Sequence, residues 1–282
     1  MKKTRVLIVF VCMMAVANFT SADTIRGIGM DFVTIGNPGN AADTGGPHVC
    51  GAVGYNYRIG KYEITATQWQ TINTAAGIGG SGYWSGNQPA ASISWYDAAR
   101  FCNYLTTGNT EDGVYKFTGG SLTNIIYHEL AGLTYGMAYF LPTEDEWYKA
   151  AYYEPNSSGY SLYANGTGTA PIAGVDTNYQ YVIGTPWNIG SGTMEQNGTF
   201  DMMGNVWEWN ETLFYGSYRG YRGGPYNGVF FDLASFARGN SDPHDEYPNI
   251  GFRVASVPEP ATLLLLGLGA VVVRRKRKVL SP

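Results

Sequence analysis

The chain has 282 residues, of which 44% are hydrophobic, 15% aromatic and 14% charged, and its 38 glycines favour a loop-rich globular domain over a helical bundle. So many aromatic residues and so little charge exclude an intrinsically disordered chain. Residues 23–256 contain 10 Lys and Arg against 21 Asp and Glu, a formal charge of −11 that would repel phosphate backbones and excludes nucleic acid as a partner.

Residues 1–22 are predicted to be a secretory signal peptide. A basic start at residues 2–5 precedes an apolar run over residues 6–17, and the small residues 20–22 suit cleavage before Asp23. An uncleaved N-terminal anchor is the alternative. Both interpretations place the rest of the chain outside the cytoplasm.

Residues 23–256 are predicted to form one α+β domain, because no internal repeat or low-complexity linker interrupts them. A strand-like stretch at 55–63 precedes the first of three short helices. These helices are predicted from Thr65 to about Ala75, from Ser94 to Leu105, and from Thr143 to about Tyr152. The stretches between them, 77–92, 106–124 and 155–200, are rich in Gly, Asn, Ser and Thr. Such long loops must be held by side-chain hydrogen bonds or ions.

Cys50 and Cys102 are the cysteines that follow the predicted signal peptide. In an oxidising compartment they can form one disulfide, but two buried free thiols are an equally good interpretation. The sequence leaves this choice open.

Six motifs follow one another in a distinctive order. They are YRIGKYEIT at 57–65, ISWYDAARFC at 93–102, LPTEDEW at 141–147, DMMGNVWEW at 201–209, RGG at 222–224 and IGFRV at 250–254. The series resembles the formylglycine-generating enzyme (sulfatase-modifying factor) superfamily over roughly residues 50–255. The resemblance implies a C-type-lectin-like fold with few short helices and strands and long irregular loops.

Active members of that superfamily oxidise a substrate cysteine with oxygen and a copper(I) ion held by two cysteine thiolates. Copper(I) is soft and requires such ligands. The resemblance places the cysteines shortly after the RGG motif, where this chain has Gly228 and Leu233, and no cysteine follows Cys102. Copper is therefore not expected, and the domain is predicted to be a binding or structural module. The alternative is an oxidoreductase of the formylglycine-generating type that acts on protein cysteine.

Other candidate catalytic groups have simpler explanations. The iron-dependent sulfoxide synthases of the same superfamily use a histidine cluster, whereas the histidines here are far apart in sequence: His48, His128 and His244. The acidic residues 144–146 start a predicted helix, where they complement the helix dipole. Arg222 and Arg253 are expected to pair with acidic loops.

The resemblance also implies a calcium site in the loop 201–208. The ligands it assigns are the Asp201 carboxylate, the Gly204 and Val206 carbonyls, and the Glu208 carboxylate. Calcium prefers six to eight oxygen ligands, and mixed carboxylates and carbonyls of a tight loop suit it. The alternative is that the two acids cap turns. A second implied site would use Asn178 and the Tyr179 carbonyl.

Aromatic residues in the long loops are candidates for contact with a polysaccharide or a surface protein, because aromatic faces suit sugars and peptides alike. Core packing is the alternative for each of them. These candidates are Tyr83, Trp84, Trp187, Tyr215, Tyr218 and Tyr221.

Residues 257–282 combine a Val-Pro-Glu-Pro start, an apolar run at 261–273 and five basic residues at 274–278. Thirteen helical residues span about 20 Å, less than the hydrocarbon core of roughly 30 Å. The segment resembles the PEP-CTERM sorting signal. The resemblance implies a short transmembrane helix with its basic end in the cytoplasm, cleavage by an exosortase-type enzyme, and release to the cell surface, outer membrane or an exopolysaccharide matrix. A plain tail anchor is the alternative.

Overall fold

The computed structural model describes residues 21–258. Most of the predicted signal peptide and most of the predicted sorting segment therefore lie outside the described residues. Within 21–258, no helix is long and apolar enough to cross a membrane.

The described residues form short strands and helices in a mixed order. The strands are β1 (Ser21–Ile25), β2 (Ile28–Ile35), β3 (Tyr57–Gly60), β4 (Tyr115–Thr118), β5 (Ser121–Ile125), β6 (Met137–Phe140), β7 (Trp207–Phe214), β8 (Tyr218–Arg222), β9 (Gly239–Ser241), β10 (Ile250–Gly251) and β11 (Ala255–Pro258). The helices are α1 (Ala66–Ala76), α2 (Trp95–Thr107), α3 (His128–Tyr135), α4 (Glu144–Tyr152) and a 3-10 helix at Phe230–Leu233. The predicted α+β class is confirmed.

Two sheets organise the domain. The larger has the antiparallel order β1-β2-β3-β11-β6, so strands from both ends of the described chain lie in one sheet. The smaller has the order β10-β7-β8-β9, with β10 parallel to β7. Strand β1 starts at Ser21, so cleavage before Asp23 would remove its first two residues.

The three predicted helices are confirmed as α1, α2 and α4, each to within two residues at its ends. Their N-caps explain this accuracy. Thr65 and Thr143 form capping boxes with Gln68 and Glu146, and the Ser94 hydroxyl accepts a hydrogen bond from the backbone N–H three residues later. Such signals are local, so the sequence alone reveals them.

Helix α3 and the β4–β5 hairpin were not predicted, and the prediction of a loop over 106–124 is wrong where it overlaps the hairpin. Helix α3 lacks a side-chain cap at Tyr127 and contains Gly132. That glycine permits close packing on β11, because a Cβ there would lie 2.9 Å from Cγ1 of Val257. Helix α3 is therefore stabilised by packing against residues that are distant in the sequence.

The largest side chains of the core are mostly aromatic. The Trp69 ring stacks on Phe101 at 5.7 Å, and the edge of Phe252 approaches both rings. Four indoles are completely buried: Trp69, Trp95, Trp147 and Trp209. Burial of rings this large stabilises a domain that has little regular structure.

The long segment 155–200 contains none of the named strands or helices, as predicted. Side-chain amides attach it to the end of α4. The Gln196 amide donates to the Ala151 carbonyl at 3.0 Å, and the Asn197 amide donates to Ala150 and Tyr153 at 3.1 and 2.8 Å. The expectation that side-chain hydrogen bonds hold this loop is confirmed.

Candidate functional site

The RGG motif ends β8, and its arginine is completely buried. Arg222 Nε donates to Glu144 at the start of α4 at 2.8 Å, and Nη1 donates to the carbonyls of Ser235 and Ala237. Although burial alone would raise the pKa of Glu144, the guanidinium groups of Arg222 and Arg238 lower it. Arg222 therefore joins α4, β8 and the chain after the motif. It pairs with an acid, as expected, but that acid lies on helix α4 and not in a loop.

The two positions that the resemblance matches to copper-binding cysteines, 228 and 233, carry no sulfur. Leu233 is completely buried, and its backbone carbonyl accepts a hydrogen bond from the Tyr152 hydroxyl at 3.0 Å. Gly228 has no side chain, and its backbone carbonyl accepts from the N–H of Gln180 at 2.9 Å. Neither position can supply a thiolate.

The two cysteines of the described chain are free and buried. Cys50 lies beside the RGG motif, with Sγ 3.9 Å from Nη2 of Arg222. Burial raises the pKa of the Cys50 thiol to about 12. Cys102 lies on α2, and burial also raises its pKa well above the ordinary value. Both groups are therefore neutral thiols at physiological pH, which are poor nucleophiles and poor metal ligands.

The acids of the predicted calcium loop are both buried and hydrogen-bonded. Asp201 has a positive φ of 59°; its two oxygens accept from the indole of Trp187 at 2.8 Å and the backbone N–H of Gly190 at 2.7 Å. Glu208, at the start of β7, accepts from Trp147 Nε1 and Arg253 Nε, both at 2.6 Å. The predicted pairing of Arg253 with an acid is confirmed.

Two further buried acids lie near this loop. Glu63 accepts from the Asn205 amide at 2.6 Å and from the Val206 N–H at 3.2 Å. Burial and the neighbouring acids raise the pKa of Glu63 well above its ordinary value. Burial raises the pKa of Glu195 to about 8. Neither residue was predicted as a site residue, because no local sequence pattern marks an acid as buried.

Asn178 contributes an unsatisfied acceptor beside the same loop. Its side chain is completely buried, and its Nδ2 donates to the Thr185 carbonyl at 2.9 Å, but its Oδ1 has no hydrogen-bond partner among the described residues. Its backbone carbonyl accepts from the N–H of Asn205 at 2.8 Å. A buried oxygen without a donor is costly and is a position where a cation could bind.

No group of three or more His, Cys, Asp or Glu side chains within 21–258 is arranged to hold a metal ion. An ion bound at the 201–208 loop would therefore depend on backbone carbonyl and amide oxygens in addition to carboxylates. Calcium accepts such a mixture, whereas zinc and copper prefer nitrogen and sulfur.

His128 forms a site that sequence analysis missed. Nδ1 lies 3.0 Å from both oxygens of Glu146, and Nε2 lies 3.1 Å from Glu211. Burial alone would lower the pKa of His128, but these two carboxylates raise it to about 10. The ring also stacks on Phe140 at 3.5 Å. His128 is therefore a buried imidazolium that joins α3, α4 and β7, and this arrangement indicates a structural role.

The aromatic candidates divide into two groups. The Trp187 indole donates to Asp201, and Tyr221 packs against Trp207 and Trp209, so both have contacts within the fold. The rings of the second group are exposed or half-buried. Its members are Tyr83, Tyr215 and Tyr218, which are exposed, and Trp84, which is half-buried.

Comparison with known proteins agrees with the fold and motifs. Residues 33–257 match the sulfatase-modifying factor enzyme 1-like domain, and residues 256–278 match the PEP-CTERM protein-sorting motif. The motif implies processing by exosortase-type machinery. The chaperone protein LppX of Paenibacillus barcinonensis is 27% identical over 180 residues, which cover 55% of this chain and 61% of that protein. The chain thus matches less than two thirds of that relative's length.

Solved structures with the same fold share little sequence with this chain. Treponema denticola variable protein 1 has a TM-score of 0.62 at 21% identity, and the match covers 85% of this chain and 99% of that one. CarF has a TM-score of 0.60 at 22% identity, and the match covers 80% of this chain and 97% of CarF. PvdO from Pseudomonas aeruginosa has a TM-score of 0.57 at 18% identity, and the match covers 81% of this chain and 94% of PvdO. The chain therefore belongs to the sulfatase-modifying factor enzyme 1-like family, as an exported protein with the C-type-lectin-like fold of the formylglycine-generating enzymes.

Proposed function

We propose that this protein is a surface or matrix protein whose domain acts as a calcium-stabilised binding or structural module without formylglycine-generating activity. One observation carries the proposal: no cysteine follows Cys102, and the positions that the resemblance matches to the copper-binding cysteines carry Gly228 and Leu233. Cys50 and Cys102 do not replace that pair, since both are buried neutral thiols. Copper is accordingly not expected.

The carboxylates around the 201–208 loop support the calcium part of the proposal. Four buried acids among the described residues, Glu63, Glu195, Asp201 and Glu208, lie near one buried guanidinium, that of Arg253. Every one of their eight oxygens already accepts a hydrogen bond. If one of these carboxylates were protonated, its O–H group would face the N–H or O–H group that now donates to it, and one hydrogen bond would be lost. Neutralisation by a bound cation avoids that conflict.

Calcium would be held by the Asp201 and Glu208 carboxylates and the Gly204 and Val206 carbonyls. Arg253 already binds both oxygens of Glu208, so we expect Asp201 to contribute more of the attraction. The unsatisfied Oδ1 of Asn178 supports a second ion nearby. The role of the ion is to neutralise buried charge and attach the long loops to the core.

The ligand of the module is proposed to be a polysaccharide or a surface protein. Cleavage near residues 258–260, after transient anchoring by the C-terminal helix, would deliver the domain to the outer membrane or an exopolysaccharide matrix. The Paenibacillus barcinonensis relative is named a chaperone, and for that reason we retain a surface protein as the alternative ligand.

The position of Cys50 supports an alternative, an oxidoreductase of the formylglycine-generating type. Its sulfur lies 3.9 Å from Arg222 of the RGG motif, in the region where the resemblance places the chemistry. A peptide containing the substrate cysteine, incubated with the purified chain, copper(I), oxygen and a thiol reductant that supplies the two further electrons, tests this alternative. We expect no aldehyde product above the copper-only control by hydrazide labelling and mass spectrometry. Enzyme-dependent aldehyde formation would refute the proposed loss of activity.

Calcium dependence is tested by thermal unfolding of the full chain in calcium and in EDTA. Calcium at about 100 times its Kd should stabilise the fold by about 2.7 kcal/mol, or roughly 5–10 °C in Tm for a domain of this size. Asp201→Asn should abolish most of the shift, whereas Asp242→Asn, which changes an exposed acid, should not. Identical Tm values in both buffers, with no calcium bound in equilibrium dialysis, would refute the ion site.

A further inference from the structure

An open groove lies along the exposed face of α1. Thr67, Gln70, Thr71 and Thr74 form one wall. The other wall is formed by Ser81, Gly82, Trp84, Ser85 and Gly86. We call this feature the α1 groove. Its volume is about 570 Å³, within the range of roughly 300–1,000 Å³ that small-molecule sites occupy.

The α1 groove has no charged side chain among the described residues that line it. This is unusual for a solvent-exposed helix face, which ordinarily carries Lys, Glu or Asp. The spacing of Thr67, Gln70, Thr71 and Thr74 places these hydroxyl and amide groups side by side on one face of α1. Thr67 and Thr71 donate to the backbone carbonyls of Gly86 and Thr67, and Gln70 donates to the Thr74 hydroxyl. The helix therefore presents a row of neutral groups whose oxygens can accept hydrogen bonds from a ligand.

Trp84 provides an aromatic wall, and its orientation is fixed. The indole N–H donates to the Pro248 carbonyl at 2.7 Å, and the edge contact with Tyr83 has a centroid distance of 4.9 Å. Tyr226 packs on the same indole at 6.0 Å and on Tyr181 at 5.9 Å. We call these four residues the aromatic row. Its ends are open to solvent, since Tyr83 is 62% and Tyr181 60% exposed.

An unsatisfied donor lies directly behind the α1 groove. Trp69 Nε1 is buried and has no hydrogen-bond partner in the described part of the chain. Gly82 lines the groove and covers this N–H: a Cβ on Gly82 would lie 3.1 Å from the nitrogen and 2.6 Å from Cδ1 of the same ring. Because Trp69 is completely buried beneath Gly82, this N–H does not face the groove, and the groove floor adds no charged group.

These features fit one class of ligand. We propose that the α1 groove, with Trp84 and the adjoining aromatic row, binds a segment of an uncharged polysaccharide. Sugar rings present C–H faces that pack on indole and phenol rings, and their hydroxyls match the Thr and Gln side chains. A phosphorylated or acidic ligand would need Arg or Lys, which the groove lacks, and would be repelled by the domain's negative charge.

The open groove favours a polymer over a free sugar, because a chain can leave the groove past Trp84 and reach the exposed ring of Tyr83. The fixed orientation of Trp84 reduces the entropy lost on binding. This inference rests on the proposed role as a binding module and names the ligand class.

Affinity electrophoresis of the purified full chain tests the proposal. Native gels containing dextran, a β-glucan or a galactomannan are compared with gels containing alginate, an anionic polymer. We expect retardation by at least one neutral polymer and none by alginate. Retardation by alginate alone would refute the ligand class.

Variants locate the site. Trp84→Ala and Thr71→Glu should each weaken retention about tenfold or more, because a hot-spot ring is lost or a charge enters the neutral groove. Trp84→Phe should retain more affinity than Trp84→Ala. The controls are Tyr127→Ala, which removes a ring that is 85% exposed, and Ser121→Glu, which adds a charge on exposed β5. All variants are compared after thermal unfolding confirms that they are folded.

Two results would overturn the inference without deciding the proposed function. Retention that is unchanged in both folded Trp84→Ala and Thr71→Glu would place the polysaccharide elsewhere and leave a binding module. No retention of the folded chain on any polymer would refute polysaccharide binding at this groove. The calcium and aldehyde measurements would then decide the proposed function independently.

Discussion

Replacement of His128 by Gln should remove a pH-dependent contribution to stability. In the folded chain the imidazolium lies between Glu146 and Glu211, and all three side chains are buried or nearly so. Glutamine retains hydrogen-bonding ability but carries no charge, which leaves two carboxylates without their cation. Loss of one partner from a buried ion pair typically costs about 3–5 kcal/mol.

The shifted pKa of His128 gives a contribution to the free energy of unfolding of comparable size, and it shows in which direction that contribution changes with pH. The pKa of His128 is about 10 in the folded chain against an ordinary value of 6.5. Between these values the folded state holds a proton that the unfolded state has lost, so stability falls as pH rises. The contribution is fully present below about pH 6.5 and declines by up to about 1.4 kcal/mol per pH unit until about pH 10. Over the whole window the loss amounts to about 4–5 kcal/mol.

Urea unfolding of wild type and His128→Gln at intervals from pH 6 to pH 9.5 measures this contribution. Other groups also titrate there: burial lowers the pKa of Lys149 to about 8 and raises that of Glu195 to about 8. Because both proteins contain those groups, the difference between the two stability profiles isolates His128. We expect that difference to shrink steadily with pH. Parallel profiles would show that His128 is neutral in the fold and would refute the argument.

Two further predictions concern the α4 cap and the thiols. Thr143→Ala should lower the free energy of unfolding by about 1 kcal/mol, because the capping box loses its side-chain acceptor; urea unfolding measures this, and an unchanged midpoint would contradict it. Cys50 and Cys102 should resist iodoacetamide in the folded chain and react after denaturation, because both are buried neutral thiols. Peptide mass spectrometry identifies the modified residues, and rapid alkylation of the native protein would refute their burial.

Features that depend on neighbouring residues were predictable from the sequence. The N-caps Thr65, Ser94 and Thr143 each lie beside the helix that they start, and the structure confirms all three helices. The β4–β5 hairpin also had a local signal: Gly119 and Gly120 both adopt positive φ, as a tight hairpin turn requires. The polar character of the flanking residues concealed that signal.

Features that depend on distant contacts were not predictable. The partners of His128 lie 18 and 83 residues away, and nothing near His128 in the sequence indicates that it is buried. The same holds for Glu63, whose partners Asn205 and Val206 are more than 140 residues away. A single sequence reveals residue types at such positions but not their convergence.

The RGG motif makes contacts that stabilise the fold whichever residues occupy positions 228 and 233. Arg222 links α4 to the chain after β8, and none of these contacts involves a thiolate at position 228 or 233. Gly224 has a φ of 81°, and a Cβ there would lie 2.8 Å from Cδ2 of Leu233. The glycine therefore allows the leucine to pack in the core. These contacts serve hydrogen bonding and packing, so the motif identifies the fold more reliably than the reaction.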